Sequence, residues 1–228
     1  MNEPGFILNC WHAVGLSFWN FIFKIINRAE ILGKENVPRP GESSVLILSN
    51  HISAIDPFLI AVTSLSYFSK VRWRAPAKEE LFKYPVIRNI LASWGAFPVR
   101  RGKGDYEAMN QMTQMLRDSL VVLFPEGTRS KDGVLLKGKA GAGKIIWEGR
   151  PAKILPVLIE GTNRILPKGR IFPSVGKKTR IYYGRPIDLS PYYLKEPTIE
   201  VSQQMVDAVM SALHDMQKEI NFKFQTEN

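Results

Sequence analysis

Short apolar runs alternate with amphipathic helical patterns from residue 45 to residue 183. Such an alternation of strands and helices is typical of α/β domains, in which helices cover a buried, largely parallel sheet. We therefore predict a mostly parallel central sheet flanked by helices. The strand candidates are Val45–Ser49, Val71–Arg74, Leu120–Phe124, Ile154–Ile159 and Arg180–Tyr183, and the helix candidates lie near Pro57–Leu65, Glu79–Ala92, Asp105–Arg117 and Ala140–Trp147.

The segment Ile199–Ile220 has apolar residues at helical spacing, which predicts one long amphipathic helix. His214 falls on the opposite face of that helix, so we expect it to face solvent. Pro156 interrupts the fourth strand candidate, and a missing amide hydrogen favours an irregular or edge position for that strand. The apolar face consists of Val201, Met205, Val209, Ala212, Leu213, Met216 and Ile220.

The segment Phe6–Ile26 carries Lys24 as its only formal charge and is long enough to be considered as a transmembrane helix. Its small and polar residues recur every three or four positions, which puts them in a narrow stripe beside a broad aromatic face. This pattern favours an amphipathic membrane-anchoring helix in the bilayer interface over a spanning helix or an ordinary core helix. The stripe is Asn9, Ala13, Ser17, Asn20, Lys24 and Asn27, and the other face carries Phe6, Trp11, Phe18, Trp19, Phe21, Phe23 and Ile25.

The chain has 228 residues, enough for one substantial domain with a well-buried core. We expect an anchor in residues 1–35 and an α/β domain in residues 36–228. The formal net charge of +10 favours a polyanionic partner: anionic lipid headgroups, nucleic acid or a phosphorylated substrate. The single cysteine, Cys10, excludes an internal disulfide, and the three histidines are too scattered along the sequence for a metal-ligand pattern.

His51 comes shortly after the first strand candidate, and Asp56 follows five positions later at a predicted helix start. An imidazole held by a carboxylate can remove a proton from a weak nucleophile near neutral pH. Asp56 also precedes Pro57, and an Asp before a first-turn proline is a common helix N-cap. The pair alone is therefore open to two interpretations, a catalytic dyad or a helix cap.

Two further loops carry cationic side chains. Phe124–Ser130 follows a strand candidate, and within it Gly127 allows close approach of the backbone while Arg129 offers a fork for a phosphate. Arg100 and Arg101 follow another apolar stretch and add positive potential. Without the His–Asp pair, the first loop could be a turn with a surface ion pair and the second a solvated basic edge.

The segment Gly138–Lys144 matches the first part of a P-loop, GxxxxGK. Ile145 stands where that motif needs a hydroxyl group for magnesium, and no strand candidate runs directly into the loop. We therefore expect no kinase or ATPase site here. The segment is better interpreted as a closely packed helix start beneath the active site.

Taken together, the chain resembles the glycerolipid acyltransferases of the 1-acylglycerol-3-phosphate type. The four sequence blocks of that family correspond, in order, to His51–Asp56, Gly95–Arg101, Phe124–Ser130 and Leu155–Val157. Each block alone is a weak signal, and four in order at plausible spacing are a strong one. The family also has an N-terminal helical membrane anchor, which agrees with the helical pattern of residues 6–26.

The resemblance implies transfer of an acyl group from a thioester, on coenzyme A or acyl carrier protein, to the sn-2 hydroxyl of lysophosphatidic acid. His51 would be the general base, and Asp56 would orient the imidazole and stabilise its protonated form. Neither a metal nor a cofactor beyond the acyl donor is implied. The acceptor pocket implied by the family consists of Arg100, Arg101, Glu126, Gly127, Thr128 and Arg129.

The partners expected on this basis are membrane lipids, lysophosphatidic acid and the acyl donor, at the cytoplasmic face of the cell membrane. Acylation of glycerol 3-phosphate at sn-1, or of another lysophospholipid, is the nearest alternative because it would use the same blocks. An alternative of another class is a non-catalytic basic protein that binds the membrane surface. Nucleic acid is not expected, since the sequence has no basic recognition helix and no RNA-binding aromatic signature.

Overall fold

The computed structural model describes residues 6–65, 72–100, 105–170 and 172–225. Its strands are β1 (Glu30–Leu32), β2 (Val45–Ser49), β3 (Arg72–Lys78), β4 (Ala96–Val99), β5 (Ser119–Leu123), β6 (Lys153–Glu160) and β7 (Arg180–Tyr183). Its α-helices are α1 (Phe6–Asn20), α2 (Asp56–Ser64), α3 (Pro85–Ser93), α4 (Tyr106–Met115), α5 (Ala140–Gly149), α6 (Thr162–Ile165) and α7 (Ile199–Gln225). A π-helical segment, Phe21–Ile26, continues α1, and 3₁₀ helices cover Lys34–Asn36, Glu79–Lys83 and Ser190–Leu194.

The strands form one seven-stranded sheet in the order β1-β7-β6-β2-β5-β3-β4. The five strands from β6 to β4 in that order are parallel, whereas β7 pairs antiparallel with β6 and carries β1 parallel to itself. This confirms the predicted α/β class with a mostly parallel central sheet. Because β2 and β5 are parallel neighbours, the loops at their carboxyl ends meet at one edge, where ligands bind in such sheets.

Both faces of the sheet are covered by helices, and the central strand β2 shows why its sequence is apolar throughout. Leu46 and Leu48 pack in the core formed with α4, α5 and α7. Val45 and Ile47 point to the other face and pack with residues of α1 and α2. All four side chains are fully buried. A strand between two helical layers needs apolar residues at every position, because alternate side chains enter opposite cores.

Compared with the prediction, the structure adds two strands and the short helix α6, divides one predicted helix, and extends β3 from the predicted Arg74 to Lys78. The short strands β1 and β4 were not predicted, and β1 joins the sheet although it lies within the predicted anchor segment; the domain boundary itself stays a prediction. The helix candidate Glu79–Ala92 is divided into the 3₁₀ helix Glu79–Lys83 and α3. Tyr84 between them is extended, because the residue before a proline disfavours the helical conformation and Pro85 follows it. Val71 lies outside the described residues.

The prediction that Pro156 marks an edge or irregular strand is wrong. β6 lies inside the sheet between β2 and β7, and Pro156 is buried opposite Leu48. The ladder between β6 and β7 begins at Val157, so the proline occupies the end of that ladder. Its carbonyl oxygen, which proline retains, accepts the amide hydrogen of Gly184 at 2.9 Å. This position allows a proline within an interior strand.

The predicted N-terminal helix is present, but its aromatic face is divided between core and surface. Phe23 is fully buried, and Trp19 stacks on Phe58 of α2 with the ring centroids 4.5 Å apart. For these two aromatic residues the prediction of a membrane-facing position is wrong, because a helix that packs on α2 must bury part of its apolar surface. In the part of the chain that the structure describes, no helix is both long and apolar enough to cross a bilayer. The exposed apolar residues are Trp11, Val14, Phe18, Phe21 and Ile25.

The C-terminal helix α7 confirms the predicted amphipathic pattern. Met205, Val209 and Leu213 are fully buried, and His214 is exposed as predicted. The helix packs on α5, whose start lies in the segment that matches part of a P-loop. A Cβ atom built on Gly143 would lie 1.8 Å from the Ser202 carbonyl oxygen, so this glycine allows the two helices to approach.

Gly143→Ala is expected to destabilise the protein, because the added methyl group overlaps the backbone of α7. Overpacking of this kind costs roughly 1–3 kcal/mol. Gly141→Ala is the matched control in the same helix, since its Cβ would lie at an ordinary 3.5 Å from the Met109 sulfur. Urea unfolding should show a lower midpoint for Gly143→Ala only. Equal midpoints for the two variants would contradict the close packing of α5 on α7.

Candidate active site

His51 lies in the loop that follows the carboxyl end of β2, and Asp56 lies where this loop enters α2. The His51 Nδ1 and Asp56 Oδ2 atoms are 2.8 Å apart, and both side chains are buried. Asp56 is the first residue of α2, and Ile55 occupies the N-cap position. The hydrogen bonds of its carboxylate go to residues that precede the helix and to Thr162. The structure therefore brings the pair together, and the helix-cap interpretation does not describe the side chain.

The Asp56 carboxylate is held on both oxygen atoms. Oδ2 accepts the backbone amides of Ile52 at 2.7 Å and Ser53 at 2.8 Å, in addition to the imidazole. Oδ1 accepts a short hydrogen bond from the hydroxyl of Thr162, which is fully buried. Gly161, with φ of +85°, ends β6 and turns the chain so that Thr162 meets the carboxylate. A buried charge is tolerated where several donors satisfy it, so this network fixes the position of Asp56.

The His51 ring lies against Phe124 of the neighbouring strand end. Their ring centroids are 4.1 Å apart and their planes are inclined by 19°. A carboxylate facing Nδ1 favours the neutral tautomer that carries its hydrogen on Nδ1, which leaves a lone pair on Nε2. No hydrogen bond to Nε2 occurs among the described residues. This arrangement suits an imidazole that removes a proton.

The loop after β5, Phe124–Ser130, packs on the same histidine. The Ser130 amide donates to the His51 carbonyl oxygen at 2.7 Å, and the His51 amide donates to Glu126 Oε1 at 3.4 Å. Gly127 has a φ of +68°, in the left-handed region that favours glycine, and the loop turns there. The first and third sequence blocks thus meet because β2 and β5 are neighbours.

The predicted cationic residues have different environments. Arg129 is half-buried and forms no ion pair within the described ranges. Arg100 is exposed, and its Nε donates to the Glu79 carboxylate at 3.1 Å, so the structure does not bring it to His51. Thr128 is exposed on the loop after β5. Arg101 lies outside the described residues.

Three residues of the site do not stand out in the sequence. The Asn50 amide bridges the backbone of Ile159 with hydrogen bonds of 2.7 and 2.9 Å, which ties the end of β2 to β6. Thr162 binds Asp56, and the sequence signal for it is only its position after a strand-ending glycine. Lys139 belongs in the sequence to the partial P-loop match, yet its Nζ lies 3.2 Å from where a Gly127 Cβ would be.

The candidate site shows no arrangement typical of a metal centre. No group of three or more His, Cys, Asp or Glu side chains comes together in the described parts of the chain. Cys10 is exposed on α1, a helix separate from the loops around His51. That the reaction needs no metal stays a prediction.

Comparison with known proteins connects this geometry to a family. The acyltransferase family model matches residues 28–160, which is more than half of the chain and contains all four sequence blocks. The chain belongs to the acyltransferase family. This confirms the resemblance found in the four blocks and the expected enzyme class.

Several known proteins are similar to this acyltransferase in sequence or in fold. A 1-acyl-sn-glycerol-3-phosphate acyltransferase of Borreliella burgdorferi is 30% identical over 200 residues, which cover 85% of this chain and 75% of the relative. Tafazzin of Drosophila melanogaster is 28% identical over 229 residues, and the match covers 91% of this chain but only 59% of tafazzin. The crystal structure of the 1-acyl-sn-glycerophosphate (LPA) acyltransferase PlsC from Thermotoga maritima matches with a TM-score of 0.66 at 24% identity, covering 92% of this chain and 80% of that chain. The last match confirms the fold.

Glu126 is the buried acid of this acyltransferase that lacks a charged partner. Its side chain is 1% exposed, and its Oε2 has no hydrogen-bond partner within the described part of the chain. Burial raises the pKa of the Glu126 carboxyl to about 7; the His51 and Leu136 amides oppose this in part, and the Asp56 charge adds to it. Near neutral pH the group therefore exists in both its neutral and charged forms. The neutral form can donate a hydrogen bond, so Glu126 need not repel a phosphate.

The raised pKa of Glu126 predicts a pH dependence of stability. The folded protein keeps the Glu126 proton up to about pH 7, whereas the unfolded chain releases it near its ordinary value of 4.5. The free energy of unfolding should therefore fall between these two pH values, by up to about 3 kcal/mol. Glu126→Gln removes this contribution. The other titrating groups are the same in both proteins, so their effects cancel in the difference between the two free energies of unfolding. Denaturant unfolding at several pH values should show wild type losing stability relative to Glu126→Gln; a difference that does not change with pH would contradict the burial of this acid.

Proposed function

We propose that this acyltransferase moves an acyl group from a thioester, on coenzyme A or acyl carrier protein, to the sn-2 hydroxyl of lysophosphatidic acid, with phosphatidic acid as product. The observation that carries the proposal is the 2.8 Å contact between His51 and Asp56 beneath the loop that contains Arg129. The Borreliella burgdorferi relative, named as a 1-acyl-sn-glycerol-3-phosphate acyltransferase, supports the choice of acceptor.

His51 acts as the general base in this proposal. Nε2 takes the proton of the acceptor hydroxyl while the hydroxyl oxygen attacks the carbonyl carbon of the thioester. The tetrahedral intermediate then collapses, the carbon–sulfur bond breaks, and the departing thiolate receives the proton from the imidazolium. A hydroxyl is too weak an acid to react unaided near neutral pH, and a positioned base contributes about 10²–10⁴-fold.

Asp56 orients the His51 imidazole, and Thr162 holds Asp56 in place. The carboxylate keeps the hydrogen on Nδ1 and stabilises the imidazolium that forms during the reaction. Thr162 occupies the other carboxylate oxygen and so limits rotation of Asp56. Because the substrate hydroxyl is the nucleophile, the acyl group passes directly to the acceptor. Neither Cys10, a metal nor a further cofactor has a part in this mechanism.

The acceptor phosphate is assigned to the cations around the loop after β5. Arg129 has no ion pair in the described residues and directly precedes Ser130, which binds the His51 backbone. Lys139 lies over Gly127 and adds a second cation. A guanidinium and an ammonium group bind phosphate well together, the first by a bidentate fork and the second as a point charge.

The remaining predicted residues have supporting parts in this proposal. Arg100 would contribute positive potential from a position away from His51, and a contribution of Arg101 stays a prediction because this residue lies outside the described residues. Glu126 holds the loop on the His51 amide, and in its neutral form it can bind a glycerol hydroxyl. Thr128 would offer its backbone amide close to the substrate, whereas the Gly127 amide donates to the Phe124 carbonyl oxygen at 3.0 Å and so shapes the turn.

The enzyme works at a membrane surface in this account, at the cytoplasmic face. The outward apolar residues of α1 and the segment that follows it support an interfacial anchor, since such residues gain by entering the headgroup region. Membrane lipids would then deliver the acceptor. The net charge of +10 favours a membrane that contains anionic lipids.

The His51–Asp56 contact is equally consistent with a second candidate, acylation of a lysophospholipid that differs from lysophosphatidic acid in its headgroup. The same histidine and aspartate would serve, and only the headgroup contacts would change. The third and fourth candidates are transfer to glycerol 3-phosphate and a non-catalytic role at the membrane. Thiol release from acyl-coenzyme A, measured with each acceptor in turn, separates all four.

His51→Ala and Asp56→Asn are expected to lower acyl transfer by roughly 10²–10⁴-fold, because each removes the base or its orientation. His214→Ala is the matched control, since this histidine is exposed on α7. The measurement is thiol release with lysophosphatidic acid at a temperature at which thermal unfolding shows each variant to be folded, since loss of the buried Asp56 hydrogen bonds is expected to lower the melting temperature of Asp56→Asn. Vesicle binding should stay unchanged. Wild-type turnover in His51→Ala would refute the mechanism.

Arg129→Ala is expected to raise the apparent KM for lysophosphatidic acid by about 10-fold or more, the equivalent of one charged hydrogen bond. The KM for the acyl donor should change little. Arg117→Ala, an exposed arginine on another part of the surface, is the control. If Arg129→Ala altered only the kinetics of the thioester, the assignment of the phosphate site would be wrong.

A further inference from the structure

Helix α3 turns its apolar side chains outward. None of its residues is buried, and Val86, Ile87 and Ile90 are 72%, 40% and 42% exposed. Tyr84, just before the helix, is also exposed. Single exposed apolar residues are ordinary on a protein surface, but several on one helix indicate that something covers them.

The exposed side of α3 is continuous with the outer face of α1. The Trp11 indole donates to the Ser93 hydroxyl at 3.0 Å, and His12 Nε2 lies 2.6 Å from the Ser93 carbonyl oxygen. Ser93 lies on the same face of α3 as Ile90 and Val86, because these positions are three and seven residues before it. The exposed Trp11 therefore joins the two apolar surfaces at one end of α3.

The outer face of α1 runs away from this junction along one line. Its exposed apolar residues recur every three or four positions, which keeps them on one side of a helix. A Cβ atom built on Gly15 would lie 2.2 Å from the Trp94 ring, so this glycine lets α1 pack closely at the end of α3. The line consists of Trp11, Val14 and Phe18 of α1 and continues with Phe21 and Ile25 of the π-helical segment after it.

Basic residues accompany both apolar surfaces. Lys24 and Arg28 are exposed after α1, Lys83 is exposed shortly before α3, and Arg88 is exposed within α3. The acids of the same region, Glu79 and Glu80, lie in ion pairs with Arg100 and Lys78. An apolar surface with cations at its margin is complementary to an anionic bilayer, where the cations meet phosphate groups. A second copy of the chain is a poorer occupant, because two-fold pairing would bring the same cations together.

We propose that α3 is a second membrane-inserting element, and that α1 and α3 together bind the surface of an anionic bilayer. The inference rests on the proposed function only in taking α1 as an anchor. Insertion of α3 attaches the catalytic domain itself to the membrane. Arg100 then lies close to the headgroups, because its partner Glu79 begins the segment that leads into α3.

The test is flotation of the full chain with vesicles of phosphatidylcholine alone or mixed with phosphatidylglycerol. Val86→Glu combined with Ile90→Glu should raise the lipid concentration for half-maximal binding to mixed vesicles at least 10-fold. Leu194→Glu is the matched control, since Leu194 is 91% exposed outside both helices, and should bind as wild type does. Phe18→Glu tests α1 separately. Turnover of a short-chain acceptor in solution should be the same in all variants, which shows that they are folded.

The outcomes distinguish membrane insertion of α3 from anchoring by α1. Weaker binding of both the α3 and Phe18 variants supports two inserted elements. Wild-type flotation of the α3 variant beside impaired flotation of Phe18→Glu overturns the role of α3 and leaves the anchor. Unimpaired flotation of both variants overturns both. Equal wild-type binding to the two vesicle types, or an α3 variant that changes only the oligomeric state in size-exclusion chromatography, also overturns the proposal.

Discussion

The buried carboxylate of Asp56 is the group on which the site depends. It accepts hydrogen bonds from the His51 imidazole, from two loop amides and from Thr162. An ionised carboxylate in such a place is tolerable only because these donors replace water. The same donors come from the end of β2 and from the turn after β6, so the carboxylate also ties two strand ends together. Catalytic geometry and local stability therefore depend on the same contacts.

The structure has two further features of different character, one inside and one on the surface. On the inside, the parallel neighbours β2 and β5 bring the His51 loop and the loop of Glu126 to Ser130 into contact. On the outside, α1 and α3 expose apolar residues with cations beside them. Acyl transfer from a thioester would need a base that is held away from bulk water. A phosphate-bearing lipid acceptor would need a surface at which the enzyme meets the membrane. The proposed enzyme combines both features at a bilayer interface.

Much of the fold and of the site could be predicted, because both depend on local patterns. Continuous apolar runs predicted β2 and β7 to the residue, and the short loop from His51 to Asp56 carries its chemistry within a few positions. Thr162 could not be found in this way, since it meets Asp56 across 106 positions and only the sheet brings them together. Trp19 and Phe23 show a related limit: an aromatic residue on an amphipathic helix suits lipid or core equally, and packing on α2 decides.

The most direct test of the central claim is the tautomer of the neutral His51 ring, observed by ¹⁵N NMR of the labelled imidazole. The account predicts hydrogen on Nδ1, facing Asp56, and an unprotonated Nε2 that is available as the base. Asp56→Asn should remove this preference, and His214, exposed on α7, provides the internal reference. A neutral ring that carries its hydrogen on Nε2 in the wild-type protein would contradict the account, because such a ring cannot accept the proton of the acceptor hydroxyl at that atom.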